Sequence, residues 1–327
     1  MARRARRYRI VVSAENSPYL AWQARLFHFS CLSRLNHTPI IIVHDCGSKW
    51  RRDFQELADA GAIVSRAPSY RITSNGDDYL PRNTAGTLLH AAELCPAKDE
   101  FIVLCDPDMI FVRKPDFSSG LSGEYYGYVN YDRKPVRRAA KKIGIKLEML
   151  DRQKRELCCG VPYVIPVAVA KRLAEAWLQA IDAFSPRHWE DQMHAFGLAV
   201  VKLGLRLTLT HMMNHNYWPN APVDRDVIHY CYGDETWNKR SYFTARQARK
   251  VWSPAAPAQQ GTILAELVSQ IREARDFYSA LRRCLPCSGY PGLRTCERID
   301  RLFQCGHIPL LEKEGWMRDQ ENAAKQP

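Results

Sequence analysis

The stretch "YRIVVSAENSPYLAWQARLFHFSCLSRLNHTPIIIVHD", residues 8–45, decides the fold because it reads as a strand, a helix and a second strand in succession. The runs "YRIVVSAE" and "TPIIIVHD" are rich in β-branched residues, as buried strands are. Between them the helical pattern begins with Ser17 as N-cap and Pro18 in the first position. This order predicts parallel strands with a helix packed on the sheet.

The same alternation continues along the chain. "WRRDFQELADAG" predicts a helix, "AIVSRAP" a third strand, "PRNTAGTLLHAAELC" a helix and "EFIVLCDPD" a fourth strand. Later strands are predicted in "EYYGYVNYD", "GVPYVI", "LRLTLTH" and "DVIHYCYG", the last as a core strand, and a further helix in "HWEDQMHAFGLAVVKLG". We therefore expect an α/β fold with a mostly parallel sheet flanked by helices, in which ligands bind at the carboxyl ends of the strands.

A break in composition at "SPAAPAQQG" divides the chain into a first domain, 1–252, and a C-terminal appendage, 253–327. The appendage holds one amphipathic helix, "TILAELVSQIREARDFYSALRR", and the cysteine-rich run "CLPCSGYPGLRTCERIDRLFQCGH". Four thiolates there could bind a structural Zn²⁺, with His307 as a substitute ligand. The spacing is not that of a standard zinc ribbon, so free thiols and an iron–sulfur site stay open. The four cysteines are Cys284, Cys287, Cys296 and Cys305.

The formal charge of +12 on 327 residues is concentrated in the segments 3–9 and 133–146. These segments could bind a polyanion such as nucleic acid, or could simply be solvated. No apolar run reaches the roughly 20 residues of a membrane span, and the N-terminus lacks the pattern of a secretory signal. We expect a soluble cytoplasmic protein whose cysteines are mostly free thiols.

Asp106 and Asp108 follow the buried run "FIVLC" and are separated by Pro107. The proline ends the sheet ladder and fixes the turn, so both carboxylates can point to one place beyond the strand. Paired carboxylates at an open site suit Mg²⁺ or Mn²⁺. The simpler interpretation is a pair of solvated acids at a strand exit.

Two further segments could contribute to the same site. His229 ends the predicted strand "DVIH" and could be a third metal ligand or a structural histidine. Glu190 and Asp191 lie in the first turn of a predicted helix, where carboxylates interact favourably with the helix dipole. Alternatively, one of them acts as a general base toward an acceptor hydroxyl.

Taken together, six segments resemble, in order, those of peptidyl-serine α-galactosyltransferases and hydroxyproline O-arabinosyltransferases, which have a GT-A fold. They span about residues 8–245: "SAENSPYLAWQARLFHFS", "YLPRNTAGTLLHAAE", "FIVLCDPDMIF", "GVPYVI", "HWEDQMHAF" and "VIHYCYGDETWNK". The resemblance implies a Rossmann-like GT-A domain that transfers a sugar from a nucleotide donor. Thr84 stands where that family usually has a lysine, and the secretory anchor of those enzymes is not seen.

By position, the resemblance assigns roles to individual residues. Asp106, Asp108 and His229 would hold Mn²⁺ or Mg²⁺ on the donor diphosphate, and Glu190 or Asp191 would lie beside the reacting carbon or acceptor. Trp237 and Lys239 would belong to a loop that closes over the donor. The nucleotide and the sugar diphosphate would be bordered by Ser13, Ala14, Glu15, Asn16, His44, Asp45, Arg82, Asn83 and Asp106.

The expected function is therefore the metal-dependent transfer of a hexose or pentose from a nucleotide sugar, UDP-linked by resemblance, to a hydroxyl group. The resemblance points to a protein serine or hydroxyproline as the acceptor. The basic segments leave a second acceptor open, a hydroxymethylated pyrimidine flipped out of DNA. A non-catalytic module that binds nucleic acid or protein is the alternative of a different class.

Overall fold

The computed structural model describes residues 7–45, 47, 49–95, 100–117, 120–185, 187–215, 217–254 and 259–284. Cys287, Cys296, Cys305 and His307, together with the side chain of Cys284, lie outside the described residues, so the predicted zinc site stays a prediction. Most of the first basic segment, 3–9, is outside them as well.

The main sheet has seven strands, and four of its six neighbouring pairs are parallel. The predicted α/β class with a mostly parallel sheet flanked by helices is confirmed. The strand order is β3-β2-β1-β4-β7-β6-β8. Its strands are β1 Arg7–Glu15, β2 Ile40–Asp45, β3 Ile63–Pro68, β4 Glu100–Cys105, β6 Ser122–Tyr125, β7 Cys159–Pro166 and β8 Thr208–Thr210.

Helices cover the sheet and connect its strands. Ser17 caps α1 by accepting a hydrogen bond from the Leu20 N–H (3.2 Å), and Pro18 opens the helix, as the sequence predicts. Nine α-helices lie in the described part of the chain: α1 Pro18–Leu35, α2 Arg52–Asp59, α3 Arg82–Leu94, α4 Lys134–Lys142, α5 Leu147–Gln153, α6 Val167–Asp182, α7 Asp191–Lys202, α8 Ala245–Ala248 and α9 Ile263–Cys284. Two 3₁₀ helices, Lys239–Tyr242 and Arg249–Trp252, flank α8.

A second, three-stranded sheet branches off after β4. Its strands are β5 Met109–Phe111, β9 Met213–His215 and β10 Val227–His229, in the order β5-β10-β9. The chain leaves the main sheet at Cys105, turns through 106–108 and enters the second sheet at Met109. The predicted core strand "DVIHYCYG" is thus a buried three-residue strand of this second sheet, and the predicted strand "EYYGYVNYD" is ordered as a strand only up to Tyr125.

Helix α9 packs on the first domain and contacts α1. The Arg34 guanidinium pairs with Glu273 (3.1 Å), and the Gln270 amide donates to the Phe111 carbonyl (2.9 Å). The part of the predicted appendage that the structure describes is therefore joined to the core, while the boundary at 252/253 stays a prediction. No helix among the described residues is long and apolar enough to cross a membrane.

Candidate active site

Three potential metal ligands meet where the main sheet gives way to the second sheet. The ligand atoms of Asp106, Asp108 and His229 all lie within 4.8 Å of one another, and the His229 Nε2 is 3.3 Å from the Asp108 Oδ1. The ladder explains the meeting, because His229 pairs with Met109, the residue after Asp108, across β10 and β5. The turn between the two sheets therefore brings the acids to the histidine.

Tyr230 holds the turn in place. Its N–H donates to the Asp108 carbonyl (3.0 Å), and its hydroxyl donates to the Pro107 carbonyl (3.1 Å). Pro107 has no N–H to donate, so the turn leaves no donor unpaired at that position. A fully buried tyrosine thus fixes the backbone from which both carboxylates project.

Lys239 supplies a positive charge to the acidic pair. Its ammonium group forms an ion pair with the Asp108 Oδ2. Burial alone would raise the pKa of Asp108, but Lys239 and His229 hold it well below its usual range. Burial and the charge of Asp108 raise the pKa of Asp106 to about 6. Of the two carboxylates, Asp106 is therefore the one whose negative charge is less well neutralised by nearby positive charge.

Tyr126 orients the imidazole of His229. Its hydroxyl donates to the Val161 carbonyl (3.2 Å) and lies 3.2 Å from the His229 Nδ1. With the hydroxyl proton used on Val161, the Tyr126 oxygen accepts from an Nδ1–H, so Nε2 is the ring nitrogen that a neutral His229 would offer to a metal ion. A neutral imidazole in this orientation is suited to bind a metal ion.

The cluster opens into a cavity of about 830 Å³. Aromatic side chains are the largest group in its wall, which also contains the cluster and Lys239. Trp189 and Trp218 stay largely exposed at the rim, so the cavity presents flat apolar faces to a ligand. The aromatic lining consists of Tyr19, Tyr125, Tyr126, Tyr128, Trp189, Tyr217, Trp218 and Tyr232.

The residues at the ends of β1 and β2 that are predicted to border the nucleotide, unlike Asp106, do not line this cavity, and most of them have partners within the protein. His44 bonds to the Pro68 carbonyl (2.8 Å) and to the Thr87 hydroxyl (2.7 Å), which in turn donates to Ser13 (2.9 Å). The Asn16 side chain bonds to the backbone of residues 49 and 51. Ala14 is buried, and Asp45 forms an ion pair with Arg66. Their role in binding a donor stays a prediction.

The predicted sugar-diphosphate residues are also engaged within the protein. Arg82 makes a two-point ion pair with Asp182 (2.9 and 3.0 Å). The Asn83 amide donates to Glu15 (3.1 Å). Trp237, from the predicted closing loop, packs its ring against Tyr230 and Tyr242 and lies buried behind the cavity rather than in its wall. Lys239, the other residue predicted to belong to that loop, does line the cavity.

The predicted acid or base residues lie at the start of α7. Glu190 pairs with Arg133 (2.7 Å). Asp191 is buried, and its Oδ2 accepts from the N–H of His188 (2.7 Å) while its Oδ1 lies 3.3 Å from the His194 Nδ1. Both carboxylates thus stabilise the helix start, and neither lines the cavity. A catalytic role for either stays a prediction.

Gln192 is a candidate that the sequence reasoning missed. Its side chain lines the cavity, and its Oε1 is buried without a hydrogen-bond partner. A buried, unpaired carbonyl oxygen is costly unless a ligand satisfies it. In the sequence Gln192 directly follows Glu190 and Asp191, but only these two charged residues are predicted to act in catalysis.

Comparisons with known proteins give structural matches only. No protein-family model and no curated protein matches the sequence. The galactosyltransferase LgtC, solved with donor and acceptor sugar analogues, is matched at a TM-score of 0.47 and 14% identity over 80% of this chain and 96% of that one. An active-site mutant of LgtC is matched at a TM-score of 0.44 and 14% identity, over 80% and 95%. Matches at this level do not assign a function.

Proposed function

We propose that the protein is a glycosyltransferase of the GT-A type, which uses a divalent metal ion to transfer a sugar from a nucleotide donor to an acceptor hydroxyl. The observation that carries the proposal is the cluster of Asp106, Asp108 and His229 in the wall of a cavity large enough for a nucleotide sugar. Lys239 adds a cation at the same place.

The donor set fits Mn²⁺ or Mg²⁺. Two carboxylates and one imidazole leave the remaining positions of an octahedral ion to water or phosphate oxygens. The undercompensated charge of Asp106 also favours a cation there. When bound, the metal would supply neutralisation of the diphosphate leaving group.

The chain's own residues would position the reactants. Tyr126 fixes the tautomer of His229, and Lys239 would face the diphosphate oxygens from the other side of Asp108. The amide oxygen of Gln192 would accept a hydrogen bond from a sugar or acceptor hydroxyl, which removes its unpaired state. Holding both reactants in one geometry is the main contribution expected of such a site.

The acceptor would enter over the aromatic rim. Trp189 and Tyr128 pack at a centroid distance of 5.9 Å and form one side of the opening. An aromatic rim suits a flat or ring-shaped acceptor group. The resemblance to peptidyl-serine and hydroxyproline transferases makes a protein hydroxyl the first acceptor to test, with UDP as the first nucleotide.

A second acceptor, a hydroxymethylated pyrimidine in DNA, is favoured by the basic surface beside the cavity. Arg133, at the start of α4, pairs with Glu190, which precedes the cavity residue Gln192 by two positions. Ion pairs with acidic neighbours occupy Arg137 and Lys154. Other cations of the segment remain exposed and could contact phosphates; they are Lys134, Arg138, Lys141, Lys142 and Lys146.

The test is thermal unfolding with a panel of nucleotide sugars, each with and without Mn²⁺. A donor present at about 100 times its Kd stabilises the fold by about 2.7 kcal/mol, or roughly 4 °C in Tm for a chain of this length. We expect the shift to require Mn²⁺ and to be lost in Asp108→Asn. Asp226→Asn is the matched control, because Asp226 pairs with Arg113 away from the cavity.

Turnover is measured next as donor hydrolysis and as transfer to hydroxyl-bearing peptides and to hydroxymethylated DNA. Asp108→Asn should lower the rate by about 10²-fold or more. If no donor gives an Mn²⁺-dependent shift, the non-catalytic binding module becomes the better description. Acceptor binding that weakens steeply with salt would select DNA over protein.

A further inference from the structure

A second set of potential ligands lies beside the first and shares His229. The ligand atoms of His215, His229 and Cys231 are within 4.8 Å of one another. His215 pairs with His229 across β9 and β10, and Cys231 follows His229 by two residues. The ladder sets His215 beside His229, and the chain that leaves β10 after His229 brings Cys231 to the same place.

The second set has the chemistry of a softer ion. It contains two imidazoles and a thiol, whereas the first contains two carboxylates and one imidazole. Nitrogen and sulfur ligands select Zn²⁺, while oxygen ligands suit Mn²⁺ and Mg²⁺. Zn²⁺ with three protein ligands keeps a fourth position for water.

An unpaired atom points to a ligand at this place. The Nδ1 of His215 is buried and has no hydrogen-bond partner, although its ring is packed between those of Tyr126 (5.7 Å) and Tyr217 (5.8 Å). His215, His229 and Cys231 all line the cavity, so an ion can reach them from solvent. Tetrahedral Zn²⁺ needs its ligand atoms about 3.5 Å apart, so the side chains have to close by roughly 1 Å.

We propose that His215, His229 and Cys231 form a Zn²⁺ site that competes with the Asp106, Asp108 and His229 site for the same imidazole. Tyr126 holds the Nδ1 of His229, so the ring offers one lone pair, on Nε2, which can serve one ion at a time. Zn²⁺ bound to His215, His229 and Cys231 therefore makes His229 unavailable to an ion held by Asp106 and Asp108. The Zn²⁺ site stands by itself, and the inhibition that follows from it rests on the proposed function.

Binding converts the thiol to a thiolate. The S–H bond of Cys231 breaks, its electron pair forms the bond to zinc, and the proton passes to solvent. Each ion bound at this site therefore releases one proton, and no oxidant or reductant is involved.

The test is a titration of the full chain with Zn²⁺ alone and with Co²⁺ alone, after removal of metals. Stoichiometry is compared between the wild type and its variants, because the C-terminal cysteines could also bind Zn²⁺. We expect Cys231→Ser and His215→Gln each to lose one equivalent, or to bind it at least about tenfold more weakly. Cys231→Ser should also lose part of the thiolate-to-cobalt charge-transfer absorption. Cys158→Ser, at another half-buried thiol, should match the wild type.

Competition is read from bound Mn²⁺ by electron paramagnetic resonance. Because Zn²⁺ also replaces Mn²⁺ directly at a site of carboxylates and imidazole, the readout is the Zn²⁺ concentration that displaces half of the bound Mn²⁺. This concentration should be at least about tenfold lower for the wild type than for Cys231→Ser. Asp106→Asn should still bind this equivalent of Zn²⁺. The Zn²⁺ site can therefore be tested even if Asp106, Asp108 and His229 bind no metal ion. Circular dichroism first checks that Cys231→Ser and His215→Gln are folded. If both variants bind Zn²⁺ with the stoichiometry and affinity of the wild type, the proposed Zn²⁺ site is wrong. Mn²⁺ that stays bound alongside Zn²⁺ would overturn the competition.

Discussion

Acid should destabilise this protein through His28, which lies in α1 and is fully buried where α9 packs on the core. Its Nδ1 lies 2.7 Å from the hydroxyl of Tyr278, which donates to the Arg25 carbonyl (3.3 Å). The ring therefore donates from Nδ1, and its Nε2 is left buried without a partner. A proton on Nε2 would put a charge in an apolar interior, so burial lowers the pKa of His28 to about 3.

The size of the effect follows from the two pKa values. In the unfolded chain the ring takes up a proton near pH 6.5, while in the folded protein it stays neutral down to about pH 3. The contribution of His28 to stability is complete above pH 6.5 and is lost as the pH falls toward 3. It amounts to about 2 kcal/mol between pH 7 and pH 5, and about 5 kcal/mol in full.

The measurement is urea unfolding of the wild type and His28→Asn at pH 7 and pH 5, with chelator present. Asparagine does not titrate and keeps an N–H near the Nδ1 position. Burial also lowers the pKa of His37 and His215 to about 4, so both proteins lose stability in acid. These shared losses cancel in the difference. The cost of the substitution should be about 2 kcal/mol smaller at pH 5 than at pH 7.

His211→Asn makes the same replacement at an exposed histidine and serves as the matched control. The reasoning fails if the cost of His28→Asn is the same at both pH values. That outcome would mean that the folded protein protonates His28 as readily as the unfolded chain does.

Two further substitutions test the packing around the site. Gly197→Ala should lower the free energy of unfolding by about 2–3 kcal/mol, measured by urea unfolding, because the new Cβ would overlap the Tyr131 hydroxyl oxygen and lie 2.6 Å from the Tyr131 Cζ. Adding Tyr131→Phe should recover only part of this loss, because the ring carbon Cζ remains. Lys239→Met should cost about 3–5 kcal/mol by removing the ammonium partner of the buried Asp108, with part restored by Mn²⁺. Arg113→Met, at an exposed pair, should cost less than about 1 kcal/mol.

Local patterns in the sequence were enough to predict the main sheet. Each of β1, β2, β3 and β4 contains a short apolar run with β-branched residues. Ser17 marks the start of α1 through its side-chain hydroxyl, and Gly61 follows α2 with a positive φ that favours glycine. The turn at Asp106 and Asp108 was also predictable, because a proline between two acids acts only on its neighbours. These features depend on residues that are close together along the chain.

Contacts between distant segments could not be predicted in this way. Glu190 and Asp191 are predicted either to interact with the helix dipole or, by resemblance, to act in catalysis. Their contacts with Arg133 and with the N–H of His188, which hold the start of α7, join segments that no local pattern relates. A role for Gln192 could not be predicted, because a single neutral amide forms no recognisable motif in a sequence. Its unpaired oxygen is visible only once the cavity around it is built.

The second sheet shows why one metal set was predictable and the other was not. Asp106 and Asp108 are two residues apart, so their meeting follows from one turn. His215 meets His229 only through the register of three-residue strands, which are too short to show alternation and are separated by the loop between them. A shift of one residue would turn His215 to the other face of the sheet. The pairing of Asp106 with Asp108 thus follows from one short segment. The meeting of His215 with His229 and Cys231 depends instead on the ladder between β9 and β10.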